Sequence, residues 1–312
     1  MNESPVPHLS VLYQDVLQYL DPVPTGKYVD GTVGAGGHAY GILAAGSPSG
    51  ELLGLDLDPL ALELAGTKLA QFGARVHLMH GSYADLKDHL QSLGWHSVDG
   101  ILLDLGVSSM QLDQPEKGFS FRNDAPLDMR FDPSAPLTGA DLLNGSNEQD
   151  LAQILWEYGE ERNSRKIASA ITRNRPVTST AQLAALVEKV SGGKRTGIHP
   201  ATRTFQAIRI AVNGELENLE RVLPQAVAAL KPGGRLAVIS FHSLEDRIVK
   251  HFFQRESKDC ICPPSQPVCT CGHKASLSIL TRHPVEAGEQ EQKENPRSRS
   301  ARLRVAQKLE MA

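Results

Sequence analysis

The side chains best suited to chemistry gather around one glycine-rich turn, within Asp30-Gly31-Thr32-Val33-Gly34-Ala35-Gly36-Gly37-His38. An apolar strand runs into this turn and a helix follows it. Gly34, Gly36 and Gly37 let the backbone pass close to a ligand, and the first N–H groups of the helix point toward it. A second strand ends at Asp56, about 20 residues later, where a carboxylate can accept hydrogen bonds from ribose hydroxyls. The pattern predicts an adenosine-containing cofactor.

The turn alone does not identify that cofactor, because Gly34-x-Gly36-x-x-Ala39 also satisfies the loose dinucleotide fingerprint. S-adenosylmethionine carries sulfonium and ammonium groups and has no pyrophosphate. An acid just before the turn repels phosphates and suits these cations, so Asp30 favours S-adenosylmethionine over NAD. The alternative is a turn without a ligand, in which Asp58-Pro59 merely begins the next helix.

A second acid, Asp104, ends a later strand and opens a polar loop that contains Ser108 and Gln111. Ligands of open α/β sheets lie beyond the carboxyl ends of the strands. We therefore expect Asp104 either to orient the cofactor or to accept a hydrogen bond from a nucleophile, with Ser108 and Gln111 adding polar reach. An ordinary polar loop is the alternative.

His242 follows the next predicted strand and should face the same edge of the sheet. We interpret it as a substrate contact. Ser243 has two equal interpretations: it contacts substrate, or it caps the following helix with Asp246 as its capping-box partner.

The elements that position these groups alternate between strands and helices. Apolar runs predict strands at 27–33, 51–56, 75–80, 98–105 and 234–241, and helices at 38–46, 59–72 and 84–93. Such alternation produces right-handed crossovers and a parallel sheet covered on both faces. The sequence therefore predicts an α/β fold with a doubly wound, Rossmann-like sheet.

The alternation stops after Asp104, and about 130 residues pass before the next predicted strand. Ser146 and Ser179 each stand three residues before a glutamine, which is a capping-box signature, and Gly192-Gly193 should end the later helix. We predict an inserted, mostly helical, substrate-binding subdomain at 113–206, and a sheet domain formed by 1–112 and 207–312.

Two further patterns complete the sheet domain. Apolar residues recur every three or four positions from about Pro200 to Leu230, which predicts helix that carries the chain back along the sheet face. Alternating runs at 277–280 and 301–305 predict a final antiparallel hairpin.

All four cysteines lie in one short segment, as Cys260-Ile261-Cys262 and Cys269-Thr270-Cys271. Clustered cysteines favour metal ligation over disulfides in a reducing compartment. Zinc knuckles, however, usually separate paired cysteines by two to four residues. We therefore expect a surface loop with free thiols and no metal, with a structural zinc ion as the alternative.

Composition narrows the class of protein without naming a partner. The chain has 312 residues, 40% of them hydrophobic, and a net charge of -4, so a nucleic acid would have to meet a local basic surface. Apolar runs are too short for a membrane span and the segment 1–5 does not resemble a signal peptide, so we expect a cytoplasmic location and no membrane partner.

Local basic segments do occur. Lys194-Arg195 lies shortly before His199 and Arg203, and further arginines gather near the C-terminus; either group can contact phosphates or form a solvated face. The arginines near the C-terminus are Arg297, Arg299, Arg302 and Arg304. Tyr83 follows the third predicted strand and is suited to lie beside an adenine, with burial as the alternative.

Several of these segments together resemble one family. The matching segments are Asp30-Gly31-Thr32-x-Gly34-x-Gly36-Gly37-His38, Leu103-Asp104-Leu105-Gly106-Val107-Ser108-Ser109, Gly118-Phe119-Ser120-Phe121, His199-Pro200-Ala201-Thr202-Arg203-Thr204-Phe205-Gln206 and Ser240-Phe241-His242-Ser243-Leu244-Glu245-Asp246-Arg247. The sequence is similar, from His8 to Val305, to the MraW family of bacterial small-subunit rRNA cytosine-N4 methyltransferases. The resemblance implies methylation of N4 of a cytidine in the decoding region of 16S rRNA, with S-adenosylmethionine as cofactor and an assembled or nearly assembled subunit as partner.

The resemblance also implies roles for individual residues. The implied cofactor contacts are Gly36, Gly37, His38, Asp56, Tyr83, Asp104 and Gln111. We predict Asp104 as the catalytic residue, and Ser108, His199, Arg203 and His242 as substrate contacts. The family often has phenylalanine at position 83, which keeps a stacking face, and some members lack the cysteine-rich loop, which argues against a catalytic metal. A homodimer is left open.

The expected reaction is direct transfer, in which the cytosine amine attacks the methyl group in line and the enzyme positions and desolvates the reactants. The target base must first leave its stack, at a cost of a few kcal/mol. Two rival interpretations are an NAD-dependent oxidoreductase and a non-catalytic RNA-binding module held together by zinc.

Overall fold

The computed structural model describes residues 10–192, 199–266 and 268–310, without the side chain of Ser109. The chain divides into two compact units, Met1–Gly106 with Glu217–Ala312, and Val107–Leu216. The first contains the sheet and the second is helical. The inserted subdomain predicted at 113–206 is therefore shorter than the second unit, which extends several residues farther at each end.

The sheet has seven strands in the order β3-β2-β1-β4-β5-β7-β6. The strands are β1 Lys27–Asp30, β2 Glu51–Asp56, β3 Val76–His80, β4 Val98–Asp104, β5 Leu230–Ser240, β6 Leu277–Ile279 and β7 Arg302–Lys308. Strands β1 to β5 pair in parallel, and β7 pairs antiparallel with both β5 and β6. The order reverses direction at β1, so the doubly wound, Rossmann-like prediction and the final hairpin are confirmed.

Helices cover both faces of this sheet. The helices of the first unit are α1 Tyr13–Leu20, α2 Gly37–Ala45, α3 Pro59–Leu69, α4 Leu86–Ser92, α11 Glu215–Ala229, α12 Ser243–Glu256 and α13 Glu289–Glu294. Neighbouring residues of β1 point to opposite faces: Tyr28 enters a core with Val16 and Ile42, whereas Val29 enters a core with Leu90 and Leu219. Two apolar cores therefore hold the carboxyl ends of the parallel strands in fixed positions.

Several elements differ from the sequence prediction, among them α13, which was not predicted. Helix α1 was not predicted, although its buried Val16 and Leu20 fall on one face. Strand β5 begins at Leu230 and not at 234, because Lys231-Pro232-Gly233 lies within the strand at a shift in its register with β4.

The second unit consists of helices around a core of its own. Its helices are α5 Ser109–Asp113, α6 Gly139–Gly145, α7 Glu148–Glu157, α8 Ser164–Arg173, α9 Thr180–Ser191 and α10 Ala201–Asn213. Ser179 caps α9 as predicted, with its hydroxyl accepting from the Gln182 amide at 3.3 Å, and Gly192 ends that helix at φ 73°. The prediction for Ser146 is wrong, since Asn147 caps α7 by accepting from the Asp150 amide at 2.8 Å.

The apolar stripe between 200 and 230 does not form one helix along the sheet. Gly214, at φ 57°, separates α10 from α11. Phe205 and Ile208 enter the core of the second unit, whereas Leu219 and Leu223 enter that of the sheet. The periodicity continues through the break, so it could not reveal that its two halves serve different cores.

Among the described residues, no helix combines the length and the apolarity needed to cross a bilayer.

Candidate functional site at the carboxyl edge of the sheet

The glycine-rich turn joins the end of β1 to the start of α2. Gly34 has φ 51° and Gly36 has φ 79°, both in the left-handed region that favours glycine. The Gly36 amide donates to the Val33 carbonyl at 2.8 Å, which closes the turn directly before α2. The backbone conformation predicted from the glycine spacing is therefore present.

The reason for glycine differs from one position to the next. A Cβ at Gly36 would stand 3.3 Å from the Ala65 Cα of α3, and one at Gly37 would collide with the Ser10 side chain. Near Gly34 the closest atom to such a Cβ is the Thr32 carbonyl oxygen, at 3.9 Å. Packing against the protein itself therefore explains the glycines at 36 and 37, and only Gly34 has open space beside it. Contact of Gly36 and Gly37 with the cofactor stays a prediction.

Asp56, at the end of β2, braces the turn. Its Oδ2 accepts from the Gly34 amide at 2.8 Å and its Oδ1 accepts from the Asp58 amide at 2.9 Å. Asp58 in turn caps α3 by accepting from the Leu60 amide at 3.1 Å, with Pro59 at the first position of the helix. Both acids therefore have structural partners, which fix the Asp56 carboxylate beside the turn.

Asp30 and Asp104 end the neighbouring strands β1 and β4. Thr32 connects the two strand ends: its amide donates to Asp30 Oδ1 at 3.2 Å, and its hydroxyl accepts from the Asp104 amide at 2.7 Å. Asp30 is buried, whereas Asp104 is about a quarter exposed. Asp104 Oδ1 is nevertheless a buried atom that has no hydrogen-bond partner among the described residues.

His38, in the first turn of α2, lies next to Asp104. The ring is 5% exposed and stacks on Tyr13 with centroids 6.0 Å apart. Its Nε2 lies 3.7 Å from Asp104 Oδ2, which is too long for a hydrogen bond, and neither ring nitrogen makes one of normal geometry to the described residues. Burial lowers the pKa of His38 to about 4, an effect that the Val11 backbone opposes and Lys68 increases. The imidazole is therefore neutral at pH 7 and does not offset the charge of Asp104.

The acids at this edge raise one another's pKa values. Burial, followed by the charge of Asp56, raises the pKa of Asp30 to about 7 against the opposing hydrogen bond from Thr32. Burial, followed by the charges of Asp30 and Glu245, raises the pKa of Asp104 well above its usual value. Acids held together without a cation are costly to ionise, so this cluster is suited to a positively charged ligand.

Tyr83 lies beside the end of β1. It begins the short 3₁₀ helix Tyr83–Asp85, and a Cβ added to Gly31 would lie 3.1 Å from the Tyr83 Cβ. The ring is only partly buried and packs against the core beneath the sheet. Its predicted contact with an adenine requires the exposed part of that ring.

His242 has a structural role that the sequence did not reveal. It is the N-cap of α12, where its Nδ1 faces the Glu245 amide at 3.5 Å. The Glu245 carboxylate accepts from the amides of Phe241 and His242, at 2.9 and 3.3 Å. The prediction that Ser243 and Asp246 form the capping box is therefore wrong, because the box begins one residue earlier, with His242 and Glu245. A His-x-x-Glu spacing before an apolar helix was the available signal.

The Nε2 atom of His242 lies beside the Glu245 carboxylate. It is buried 3.2 Å from Glu245 Oε1 and makes no hydrogen bond of normal geometry to the described residues. Since Nδ1 faces an amide donor and accepts from it, Nε2 is the ring nitrogen that can donate. The structure is thus compatible with the predicted substrate contact.

The remaining predicted contacts lie in the helical unit. Ser108 and Gln111 form a capping box at the start of α5, with Ser108 Oγ accepting from the Gln111 amide at 3.2 Å and Gln111 Oε1 accepting from the Ser108 amide at 3.0 Å. Gln111 is 5% exposed. These two hydrogen bonds occupy polar atoms that the predicted substrate contact of Ser108 and the predicted cofactor contact of Gln111 would also use.

His199 and Arg203 stand at the start of α10. His199 Nε2 lies 2.7 Å from Glu188 Oε1, and its ring stacks on Phe121 with centroids 4.4 Å apart. Arg203 is exposed and donates to the Glu160 carbonyl at 3.2 Å. Of the two, Arg203 has the more accessible head group. Lys194-Arg195 lies outside the described residues.

One of the arginines near the C-terminus is unavailable to phosphate. Arg304 is 7% exposed and pairs with the buried Asp246 through bonds of 2.6 and 3.2 Å. Burial alone would raise the pKa of Asp246, but Arg304 and Arg302 lower it overall. The interpretation of Arg304 as a phosphate contact is therefore wrong, because its guanidinium is buried against the Asp246 carboxylate.

The acidic edge fits S-adenosylmethionine. Within the part of the chain that the structure describes, no cation pairs with Asp30 or Asp104, and buried atoms of His38 and Asp104 have no hydrogen-bond partner. Asp56 is fixed 22 residues after Gly34 of the turn. Fold and site together define a Rossmann-like enzyme that binds a cationic nucleoside cofactor.

Comparison with known proteins identifies the family. Residues 5–309 match the MraW methylase family, so the chain belongs to that family. The protein is a methyltransferase with S-adenosylmethionine as its methyl donor.

The relatives are similar over almost their whole length. Ribosomal RNA small subunit methyltransferase H of Syntrophotalea carbinolica is 55% identical over 307 residues, covering 97% of this chain and 98% of that protein. The protein of the same name from Dehalococcoides mccartyi is 52% identical over 303 residues, covering 97% and 87%. A solved rRNA methylase from Streptococcus thermophilus has a TM-score of 0.42 and 10% identity, covering 96% of this chain and 94% of that one, and is too distant to add to the argument.

Proposed function

We propose that the protein methylates N4 of one cytidine in the decoding region of small-subunit rRNA. Its relatives bear the name of small-subunit rRNA methyltransferases, and their similarity extends over both units of the chain. The observation that carries the choice of an amine substrate is Asp104, whose Oδ1 is buried without a hydrogen-bond partner among the described residues. An amine N–H is a suitable donor for that oxygen.

Asp104 is the proposed acceptor at the reacting amine. The lone pair of an exocyclic cytosine nitrogen is delocalised into the ring, so an acceptor that holds its N–H helps to free the lone pair for attack. S-adenosylmethionine supplies the sulfonium methyl group and its positive charge. Asp104 must be ionised for this role, and a cation nearby lowers the pKa that burial and Asp30 raise.

The other predicted site residues bind and orient the cofactor and the RNA. Asp56 is held by the Gly34 amide in a fixed position beside the turn, which suits it to two ribose hydroxyls. Tyr83 offers a partly exposed ring to an adenine. His242 offers a buried N–H to the target base. Ser108, His199 and Arg203, in the helical unit, are the proposed contacts to the surrounding RNA.

The proposed substrate is an assembled or nearly assembled small subunit, because a base in the decoding region takes its final shape late. The target base leaves its stack at a cost of a few kcal/mol, which contacts to neighbouring nucleotides must offset. A cytoplasmic location and a homodimer stay predictions.

The test uses small subunits and naked small-subunit rRNA that lack the modification. Both are incubated with the protein and with S-adenosylmethionine carrying a labelled methyl group, and the nucleosides are then analysed by mass spectrometry. We expect label in N4-methylcytidine derivatives, with faster transfer to the subunit. Label in any other nucleoside, or none despite measured cofactor binding, would refute the substrate assignment.

A further inference from the structure

The cysteine-rich loop occupies residues 257–276, between α12 and β6. None of its described residues is buried, and two apolar side chains, Ile261 and Val268, are 41% and 69% exposed. A loop of this length that lacks an apolar core needs another source of order. The four cysteines are the candidates.

The sulfur atoms of these cysteines converge. The Sγ atoms of Cys260, Cys262, Cys269 and Cys271 all lie within 4.8 Å of one another. Cys269 and Cys271 are 3.6 Å apart, and Cys271 and Cys260 are 3.9 Å apart. A tetrahedral ion with metal–sulfur bonds of about 2.3 Å separates its ligands by about 3.8 Å. Disulfide sulfurs would instead be about 2.05 Å apart.

The tight spacing of Cys-x-Cys is therefore no obstacle to a metal. The 3.6 Å between Cys269 and Cys271 shows that one such pair can span an edge of the tetrahedron. The second pair, Cys260 and Cys262, completes the group from the other side of the loop.

We propose that these four cysteines bind one structural Zn²⁺ ion. Binding removes a proton from each thiol, so the ion and four thiolates together carry a charge of about -2, and four protons pass to solvent. Lys258 and Lys274 lie next to the ligands in the sequence and are exposed, so the local charge is partly offset.

The backbone supports thiolate ligands. The Ile261 amide donates to Cys271 Sγ at 3.5 Å, as expected of an outer contact that orients a ligand. Both ends of the loop are held independently: the Ser276 amide donates to the Glu256 carbonyl at 2.8 Å, and His273 bonds the Lys258 carbonyl at 2.8 Å. The ion would therefore order the middle of a loop whose ends are already fixed.

The ligand set selects the kind of ion. Four thiolates in a tetrahedron suit zinc or iron, and disfavour the hard cations that bind oxygen. An iron–sulfur cluster of two or more irons has cysteine ligands on different irons, whose sulfur atoms lie farther apart than these four, so a single ion fits better. The acidic edge contains none of these cysteines, so the metal acts on the loop and not on methyl transfer.

Metal content of the full-length protein, purified without chelator, tests the proposal. We expect about one zinc per chain by mass spectrometry of the metals, and less than about a tenth of that in Cys271→Ser and in Cys260→Ser. Ser265→Ala is the matched control, because Ser265 is an exposed residue of the same loop without sulfur, and it should retain the metal. Refilling the stripped protein with Co²⁺ should produce the visible absorption of a tetrahedral thiolate site.

A second measurement separates the site from general misfolding. Removal of the metal should loosen the loop backbone around the exposed Lys258 and Lys274 and so increase trypsin cleavage there at least about tenfold, while the affinity for S-adenosylmethionine changes less than about twofold. Protein without metal that also fails to take up Zn²⁺ or Co²⁺, or that contains iron and no zinc, would overturn the proposal. So would full zinc content in Cys271→Ser.

Discussion

The raised pKa of Asp30 makes cofactor affinity depend on pH. With a pKa of about 7, Asp30 is half-protonated at neutral pH in the cofactor-free protein. A cation bound beside it requires the charged carboxylate, so protonation competes with binding. A group of this kind is about 99% protonated at pH 5 and about 9% protonated at pH 8, which makes binding about 100-fold weaker at the lower pH. Asp104, whose pKa is also raised, adds to the effect.

Calorimetric titration of S-adenosylmethionine at several values between pH 5 and pH 8 measures this dependence. Asp30→Asn keeps the acceptor for the Thr32 amide while removing the charge, so it should bind more weakly at pH 8 and depend less on pH. S-adenosylhomocysteine, which lacks the sulfonium charge, should show a smaller dependence with the wild-type protein. Circular dichroism at each pH verifies that the fold is intact.

Two results would refute the reasoning. One is an affinity that differs less than twofold between pH 5 and pH 8. The other is the same pH dependence in Asp30→Asn as in the wild type.

The raised pKa of Asp30 also affects the stability of the cofactor-free protein. The folded-state pKa of Asp30, about 7, exceeds its ordinary value of 3.8, so its contribution to stability is present below the lower value and is lost as pH rises through the higher one. Asp30→Asn should therefore stabilise the cofactor-free protein at pH 8, by at most about 4 kcal/mol. Equal denaturant midpoints for the two proteins at pH 8 would contradict this.

Three further predictions concern other contacts. Gly36→Ala should destabilise the protein by about 1–2 kcal/mol more than Gly94→Ala, because both sites have positive φ but only Gly36 lies against another helix. Thermal unfolding measures this difference, and equal losses of stability in the two variants would contradict the prediction. Asp246→Ala should cost about 3–5 kcal/mol in denaturant unfolding, since it leaves a buried arginine unpaired, while loss of the exposed Glu286 should cost under about 1 kcal/mol. Asp104→Asn should lower kcat about 100-fold in the methyl-transfer assay, and an unchanged kcat would exclude it as the acceptor.

Local patterns predicted the sheet well because each strand carries its own signal. Five parallel strands and the final hairpin follow from apolar runs and alternation. The end of each strand then indicates which acids meet: Asp30, Asp56 and Asp104 all follow this rule. Parallel strands bring their carboxyl ends to one edge, so positions far apart in sequence could be grouped without coordinates.

The remaining features depend on contacts that sequence patterns do not contain. Arg302 and Arg304 stand two positions apart and lie on one face of β7, where both contact Asp246, yet Arg304 is buried and Arg302 is 45% exposed. His242 is an unusual helix cap, and only its pairing with Glu245 reveals that role. The spacing of the cysteines argued against zinc, whereas their distances depend on how the loop folds back.

The pairing of β5 with β7 has a consequence for the order of synthesis. Ser240 pairs with Arg302, so the chain must continue 62 residues beyond the end of β5 before that edge of the sheet is covered. Until then a nascent chain exposes unpaired backbone groups along residues 235–240, which include four consecutive apolar residues from Leu236 to Ile239, and such an edge promotes aggregation. Chains that stop before residue 302 should therefore be degraded or aggregate.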